Sequence, residues 1–327
     1  MLRTLKTADK FTKVFYATDV HGSDRTFQKF VSCWKSYGVN NLILGGDITG
    51  KMVIPIVEKA NGEFNSEFLG QKWTGKREDL DDFERRTSVV GYYPYITKED
   101  EKRELDTNPQ KLEEVYDRLV VERLQRWIKL AEEKLRDTGV KIYMTGGNDD
   151  PHYVEKIIRS SSYVINPQGE AVALDGKYEM ISLADSNPTP WKTPRECSED
   201  DLEKKIEEMV SQVKDVKKCI FNFHVPPKDS TIDTAPKLDA SVTPPKYVVE
   251  SGVQIMEGVG SSAVRKTIEK YQPILGLHGH IHESRGAIKI GRTLCLNPGS
   301  EYGEGILRGV IVTFKDDAIR GYQFTSG

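Results

Sequence analysis

Short apolar runs recur along the chain, and several of them stop at glycine or at a polar residue. Runs of this length between turn residues predict buried strands, because helices need longer periodic segments. Residues with metal-binding side chains follow five of these runs, at residues 13–18, 41–44, 140–145, 219–223 and 273–277. Ligands bind beyond the carboxyl ends of strands in α/β sheets, so the pattern predicts a polar site at one sheet edge.

Helix caps lie between these runs. Ser23 precedes a helical segment that closes at Gly38. Ser198 precedes a second helical segment, which extends to about residue 213, and Ser261 precedes a third, which extends to Tyr271. The alternation of strands and helices predicts an α/β fold. Further strands are expected in an antiparallel stretch and near the C-terminus, at residues 163–166, 171–174, 178–184, 287–290, 293–296, 309–314 and 318–324.

The segment at about 51–138 differs from the rest and is predicted to be an insertion into a single domain of residues 1–327. Asn61-Gly62 separates two strand-like runs, which predicts a β-hairpin. Charged helical sequence follows, and Asn108 and Pro109 then open a long helix that closes before Gly139. Its apolar stripe favours packing against the main body, and a homodimer contact through the insertion stays open as an alternative.

Composition limits the function classes. The chain has 327 residues, 30% of them charged and 37% hydrophobic, which is ordinary for a globular protein. Its net charge of −3 gives no general attraction to nucleic acid or to anionic membranes. No stretch approaches the roughly 18 apolar residues of a membrane span. The 4 cysteines form no CxxC pair, which favours a reducing compartment, and we expect a cytoplasmic protein.

The histidines point to a metal site. The chain has only 6, of which His278, His280 and His282 lie within one short stretch after an apolar run. The other histidines lie in or beside similar strand-end segments. Collecting the strand-end donors gives carboxylate, amide and imidazole groups, at Asp19, His21, Asp47, Asn148, His224, His280 and His282. Such nitrogen and oxygen donors suit Mn, Fe, Zn, Ni or Co, unlike the thiolate sets of structural zinc.

This set has too many donors for one tetrahedral ion. Two divalent or mixed-valence ions about 3.5–4 Å apart, sharing one carboxylate and a solvent-derived hydroxide, would use all of them. Two divalent ions also carry more positive charge than Asp19 and Asp47 neutralise. The excess charge favours an anionic phosphoryl group, so the donor set predicts hydrolysis of phosphate esters.

The ordered motifs Asp-x-His, Gly-Asp, Gly-Asn, His and Gly-His-x-His, each after a predicted strand, resemble the calcineurin-like metallophosphoesterase superfamily. The phrases at residues 223–227, 277–283 and 297–300 look most similar to its stand-alone microbial phosphoesterase and phosphodiesterase branch. The resemblance implies an αββα fold with two mixed sheets flanked by helices. It also implies Asp19, His21 and His282 on one metal, Asp47 as the bridge, and Asn148, His224 and His280 on the second metal.

One position departs from the family pattern. Many members have histidine directly after the motif asparagine, near the leaving group, whereas this chain has Asp149. An aspartate of ordinary pKa does not donate a proton at neutral pH. His152 is a candidate substitute, with a surface histidine as the alternative, and Asp149 is an alternative partner of His21 or of a bound water. His278 is expected to be structural and Asp150 a helix cap or a supporting residue.

Two loop-like segments, at residues 185–197 and 225–260, are expected to border the site, the second as a rim or lid. Lys192, Arg195 and Arg265 lie on or next to them and are candidate contacts for phosphate oxygens. Surface cations of this kind are more often only solvated.

We therefore expect a phosphoesterase that acts on a phosphorylated small molecule or nucleotide, with catalytic roles for Asp47, Asn148, Asp149 and His152. The lack of histidine at Asp149 favours phosphodiesters or activated monoesters, because a diester can place its better leaving group outward. A general phosphomonoesterase or protein phosphatase is the first alternative. A noncatalytic metal-binding scaffold and a nuclease are weaker ones, since all the donors are present and no basic stripe with aromatic residues is evident.

Overall fold

A computed structural model describes residues 11–327. The part of the chain before residue 51 contains, in order, β1 (Thr12–Ala17), α1 (Asp24–Ser32), α2 (Trp34–Tyr37) and β2 (Asn41–Leu44). The insertion contains β3 (Val53–Glu58), β4 (Phe64–Phe68), β5 (Gln71–Gly75), α3 (Leu80–Val89), β6 (Tyr93–Lys98), α4 (Glu99–Thr107) and α5 (Pro109–Leu135). The main body resumes with β7 (Lys141–Met144), α6 (Val154–Arg159), β8 (Val172–Ala173), β9 (Glu179–Leu183), α7 (Glu199–Val210) and β10 (Cys219–Phe223).

The C-terminal part contains six short strands, one helix and five strands of the main sheets. These are β11 (Thr234–Pro236), β12 (Leu238–Asp239), β13 (Lys246–Tyr247), β14 (Val249–Glu250), β15 (Val253–Gln254), β16 (Met256–Gly258), α8 (Ser262–Tyr271), β17 (Leu275–Leu277), β18 (Gly286–Ile290), β19 (Thr293–Asn297), β20 (Arg308–Lys315) and β21 (Ala318–Ser326).

Two mixed sheets form the body. The first has the strand order β21-β20-β1-β2-β7, and the second has the order β18-β19-β17-β10-β9-β8. In the first sheet β1 pairs in parallel with β2, and β2 with β7. In the second sheet β10 pairs in parallel with β9 and β17. The carboxyl ends of the central strands in each sheet therefore lie at one edge of that sheet.

Alternation along the strands assigns each residue to a layer. On β1, Tyr16 packs into the core between the two sheets, and its neighbour Phe15 packs against the helices α1, α5 and α6 on the outer face. On β10, Ile220 faces the inner core, and Phe221 packs with residues of α7 and α8. The result is two sheets between two helical layers, which confirms the predicted α/β fold class.

The insertion has more strand structure than its sequence indicates. The expected hairpin forms, with β3 antiparallel to β4. Two strands that we did not predict complete a four-stranded sheet of order β5-β4-β3-β6, with β6 parallel to β3. Leu80 and Phe83 of α3 cover one face of this small sheet. On the other face, Val53 of β3 packs with Leu105 of α4 and Val115 of α5. β5 has one large apolar side chain, Trp73, and β6 contains Pro94, so neither run gives a strong strand signal, which explains why they were not predicted.

The long helix α5 packs against the main body. Leu124, Trp127 and Ala131 are buried in the core that also contains Phe27 of α1, and the rings of Trp127 and Phe27 stack with centroids 4.2 Å apart. Its apolar stripe thus has an intramolecular partner. The contact joins the insertion to the helix that follows β1.

The strand expected at residues 163–166 is wrong. Only one bridge forms there, between Tyr143 and Ile165. The backbone N–H groups of Tyr163 and Val164 donate to the Ser161 hydroxyl instead of to a neighbouring strand. A serine side chain that accepts local backbone hydrogen bonds competes in this way with a sheet ladder.

The loop-like segment expected at residues 225–260 contains three two-stranded ribbons, β11-β16, β12-β13 and β14-β15. Within residues 11–327, no helix combines the length and the apolar character that crossing a bilayer requires.

Arg123 of α5 holds the insertion against the loop that follows β1. Its buried guanidinium donates to the carbonyl oxygens of Gly22 (2.6 Å) and Tyr92 (3.0 Å) and to the Ser88 hydroxyl (3.2 Å). Its Nε also lies 3.8 Å from an Asp24 carboxylate oxygen. These contacts fix the backbone next to His21, a candidate site residue.

We expect Arg123→Met to lower the free energy of unfolding by about 3 kcal/mol, because it leaves buried carbonyl groups without donors. Arg126→Met is the matched control, since Arg126 contacts the same Asp24 but is 62% exposed, whereas Arg123 is 4% exposed. It should cost less than about 1 kcal/mol. Urea unfolding curves of both variants measure the difference, and equal losses would contradict the anchoring role of Arg123.

Candidate metal centre

The candidate donors lie in five loops, each of which follows a strand that ends at the same edge of the two sheets. Asp19 and His21 follow β1, Asp47 follows β2, and Asn148 follows β7. His224 follows β10 directly, and His280 and His282 follow β17. The side chains of these residues are buried or half-buried. Both sheets therefore contribute to one cluster.

The first group of donors contains Asp19, His21 and His282, whose ligand atoms lie within 4.8 Å of one another. The Nε2 atoms of His21 and His282 are 3.1 Å apart, and His282 Nε2 is 3.4 Å from Asp19 Oδ1. A single ion can reach all three residues, which are those that the family resemblance assigns to one metal.

The second group contains Asp47, His224 and His280, again with ligand atoms within 4.8 Å of one another. His224 Nε2 is 3.3 Å from Asp47 Oδ2. The same Asp47 oxygen lies 3.7 Å from His21 Nε2 of the first group. Asp47 thus lies between the two groups, in the position that a bridging carboxylate needs.

Asn148 completes the predicted set. Its side-chain amide donates to the Thr193 hydroxyl at 2.8 Å, and its carbonyl oxygen Oδ1 is buried without a hydrogen-bond partner. The N–H of the next residue, Asp149, donates to Asp47 Oδ1 at 3.0 Å, so the two loops are in contact. Thr193, from the loop of residues 185–197, orients the amide and was not predicted from sequence.

Four of these residues have left-handed backbone conformations that are uncommon outside glycine: Asp19, His21, Asp47 and His280 have φ values of 53°, 37°, 47° and 66°. Such conformations cost of order 1–3 kcal/mol each and persist only where the surrounding structure imposes them. The loops are held by hydrogen bonds between them, for example from the N–H of His21 to the carbonyl of Asp47. The strain is therefore concentrated where the donor side chains converge.

Two glycines allow the loops to approach. A Cβ on Gly147 would lie 2.2 Å from Asp47 Oδ1 and 2.8 Å from His224 Nε2. A Cβ on Gly279 would lie 2.3 Å from both Asp19 Oδ2 and Thr18 Oγ1. Any larger residue at either position would displace a candidate ligand.

The electrostatics keep the carboxylates ionised. Burial alone would raise the pKa of Asp19, but the nearby His224 and His282 imidazoles outweigh it and lower the pKa to about 2. Burial also opposes ionisation of Asp47, and the imidazoles of His224 and His21 hold its pKa well below the usual range. Both acids are therefore in the form that binds metal ions.

The imidazoles differ from one another. Burial lowers the pKa of His21 to about 3 and that of His280 to about 4, so both rings are neutral near pH 7. Burial also disfavours the charged form of His224, but the Asp47 and Asp19 carboxylates raise its pKa to about 9. His224 therefore provides the charge that offsets the two buried acids when no cation is present.

The cluster fits a pair of metal ions on independent grounds. Asn148 Oδ1 is buried without a hydrogen-bond partner, and His224 Nε2 has only the Asp47 carboxylate beside it, at 3.3 Å. An unpaired buried oxygen is costly unless something else satisfies it. His224 Nδ1 lies 3.3 Å from the carbonyl oxygen of Gly45. A carbonyl only accepts, so Nδ1 donates to it. Nε2, which faces Asp47, is the nitrogen that would coordinate a cation in place of its own proton.

Neighbouring residues support the donors. The buried Asp150 carboxylate accepts from the backbone N–H groups of Ile48, Thr49 and Gly147 at 2.7–3.0 Å, which fixes the loop around Asp47. His278 is buried with Nδ1 2.8 Å from the Phe223 carbonyl oxygen. Both residues hold the loops in place, consistent with the supporting roles expected for them.

The structure does not place His152 in the cluster. Its side chain is exposed in the turn before α6, and among residues 11–327 no hydrogen bond, ion pair or ring contact joins it to the donors. This position is the one expected of a surface histidine, the alternative that the sequence left open.

The three candidate phosphate contacts also change. Arg195 is buried and pairs with Glu155 at 2.5 Å, so it is structural. Arg265 pairs with Glu269 at 2.7 Å and donates to the carbonyl oxygen of Asp229 at 2.9 Å. Lys192 is exposed. Two of the three cations thus already have partners of their own.

Two residues next to the cluster were missed. Lys51 pairs with Asp149, with 3.1 Å between Nζ and Oδ2, and the same Asp149 oxygen is 3.9 Å from His21 Nδ1. The Tyr302 ring lies against His21, with centroids 4.6 Å apart, and against His282 at 5.8 Å. A lysine two residues before β3 and a tyrosine in the C-terminal part carry no local signal of a site.

No family model matches the chain. An uncharacterized protein of Methanocaldococcus jannaschii, MJ1162, is 28% identical over 172 residues, 52% of this chain and 67% of that protein. One crystal structure superposes with a TM-score of 0.57 and 16% identity over 97% of this chain and 99% of its own, which shows a similar fold. YfcE, a phosphoesterase from E. coli, is more distant, with a TM-score of 0.31 and 13% identity over 95% and 98% of the two chains.

Gly147→Ala should reduce metal binding more than about 10-fold, because the added methyl group displaces Asp47 and His224. Gly321→Ala is the matched control, since no atom lies within 4 Å of its added Cβ. Mass spectrometry of metal content after dialysis against Mn or Zn measures the effect. Equal metal content in the two variants and the unchanged protein would contradict the assignment.

Proposed function

We propose that this protein is a dinuclear metal-dependent phosphoesterase of the calcineurin-like type, acting on phosphodiesters or activated phosphomonoesters. The observation that carries the proposal is the meeting of two three-residue donor groups within 4.8 Å each, with Asp47 in contact with both. Metal ions that only stabilise the fold can be fully enclosed, whereas ions that act on a substrate need a site that opens to solvent. Here His282 is 30% exposed and Asp149 27%, so a substrate can reach the cluster.

The residues divide by role. Asp19, His21 and His282 would hold one ion, Asn148, His224 and His280 the other, and Asp47 both. When bound, the two cations supply a water of lowered pKa and positive charge for the phosphoryl oxygens. Hydrogen bonds from Gly147 to Asp150, from Asn148 to Thr193 and from His224 to the Gly45 carbonyl keep the donors oriented.

Charge supports an anionic substrate. Two divalent cations exceed the charge of the ionised Asp19 and Asp47, and Lys51 offsets the neighbouring Asp149. The net positive centre favours a phosphoryl group and opposes a neutral ester. A phosphodiester or activated monoester follows from the carboxylate at position 149, which replaces the proton-donating imidazole typical of the resembled family.

Asp47→Asn should lower kcat/KM at least about 100-fold with a phosphodiester substrate and Mn supplied, because the amide cannot bridge two cations as a carboxylate does. Asp137→Asn changes an exposed carboxylate on a short helix and should leave activity unchanged. Steady-state kinetics and metal content are measured together. Full activity in Asp47→Asn would refute the dinuclear assignment.

We also expect metal-loaded protein to hydrolyse an aryl phosphodiester faster than the matching aryl phosphomonoester, by roughly 10-fold in kcat/KM. The site offers no imidazole at position 149 to assist a poor leaving group, and a diester presents its better leaving group outward. Both esters carry the same phenol, so that only the second ester group differs. Equal or faster turnover of the monoester would favour the general phosphomonoesterase alternative.

A further inference from the structure

The Lys51–Asp149 ion pair occupies the position where the resembled family has a histidine near the leaving group. Asp149 follows the candidate ligand Asn148 directly, and its backbone N–H is bonded to Asp47. Its carboxylate is 3.1 Å from Lys51 Nζ. The pair therefore lies within the wall of the proposed metal centre, next to His21.

The Lys51 ammonium is held at the cluster yet open to solvent. Its side chain is 48% exposed, against 27% for Asp149. Burial would lower the pKa of Lys51, but the Asp149 carboxylate outweighs it and raises the pKa above its ordinary value. Lys51 thus stays cationic through the neutral range. Asp149 accepts from one N–H of the ammonium, and the other N–H groups remain available to another partner.

Tyr302 closes the other side of this corner. Its ring lies against both His21 and His282. Burial raises the pKa of the Tyr302 phenol, and the Lys51 ammonium partly opposes the rise. The first donor group is therefore bordered by the Tyr302 ring on His21 and His282, and by the Lys51–Asp149 pair beside His21. Among the cations proposed from sequence, Arg195 and Arg265 are committed to other partners.

We propose that Lys51, oriented by Asp149, stabilises the leaving oxygen of the substrate, an inference that rests on the proposed phosphoesterase function. As the bond between phosphorus and that oxygen breaks, its electron pair stays on the oxygen, and the ammonium stabilises the charge by a charge-assisted hydrogen bond. One water is consumed: its oxygen bonds to phosphorus, and one of its protons ends on the released alcohol. The insertion thereby supplies a catalytic residue to the main body.

The role is tested by the dependence of rate on the leaving group. Lys51→Met is compared with the unchanged protein on a series of aryl phosphodiesters whose phenols range from strongly to weakly acidic. Loss of one stabilising donor should lower kcat/KM roughly 100-fold for the weakly acidic phenol and less than about 5-fold for p-nitrophenol. Lys51→Arg keeps the charge and should recover part of the loss. Metal content should be the same in all variants.

Two controls separate this role from others. Lys59→Met removes another half-exposed lysine of the insertion, paired with Glu99 at 2.5 Å, and should not change the series. Asp149→Asn should give the same dependence of kcat/KM on phenol acidity as Lys51→Met. The double variant should lose little more activity than either single variant, because the two residues act as a unit.

Several outcomes would overturn the inference. A uniform loss across the series would place Lys51 on a phosphoryl oxygen instead, and a loss of metal would make it structural. The same slope in Tyr302→Phe, with none in Lys51→Met, would assign the role to the phenol. An unchanged protein that hydrolyses none of the esters refutes the proposed function itself, whereas an active one with a fully active Lys51→Met refutes only the role of Lys51.

Discussion

The site is governed by the need to compensate two buried carboxylates. An ionised carboxylate removed from water costs several kcal/mol unless charges and hydrogen bonds replace its hydration. The backbone N–H of His280 donates to both oxygens of Asp19 at 3.1 Å, that of Asp149 donates to Asp47, and His224 lies beside both acids. The left-handed loop conformations and the glycines at 147 and 279 follow from this need, because hydrogen-bond donors and imidazoles must come within a few ångströms of each acid.

The same need explains why many hydrogen bonds hold the loops of the candidate ligands in place. Asp150 accepts from the N–H groups of Ile48 and Thr49 in the loop of Asp47, Ser300 donates to the Asp19 carbonyl oxygen at 2.6 Å, and Arg123 fixes the backbone at Gly22. Each contact is between segments far apart in the chain. The left-handed conformations at the ligands are thus maintained by the packing of the two sheets and the insertion, and local sequence preference alone would not produce them.

Sequence predicts the parts of this protein that have a local signal. The apolar runs before Asp19, Asp47 and His224 indicate buried strands, and the fold places these side chains together because parallel strands end at one edge. The half-exposed strands β5 and β6 lack that signal, because β5 has few apolar residues and β6 is interrupted by Pro94. His152 lies close to the motif in sequence but is exposed in the turn before α6, because closeness in sequence does not fix the direction of a side chain. Lys51 and Tyr302 were missed because only tertiary contacts bring them to the cluster.

Each donor group draws on both sheets: Asp19 and His21 follow a strand of the first sheet, and His282 follows one of the second. The group of Asp47, His224 and His280 is divided in the same way. A cation held by either group therefore ties the two halves of the sandwich together across the inner core. Because a cation that binds only the native state shifts the folding equilibrium toward it, removing such a cation would lower the stability of the whole molecule.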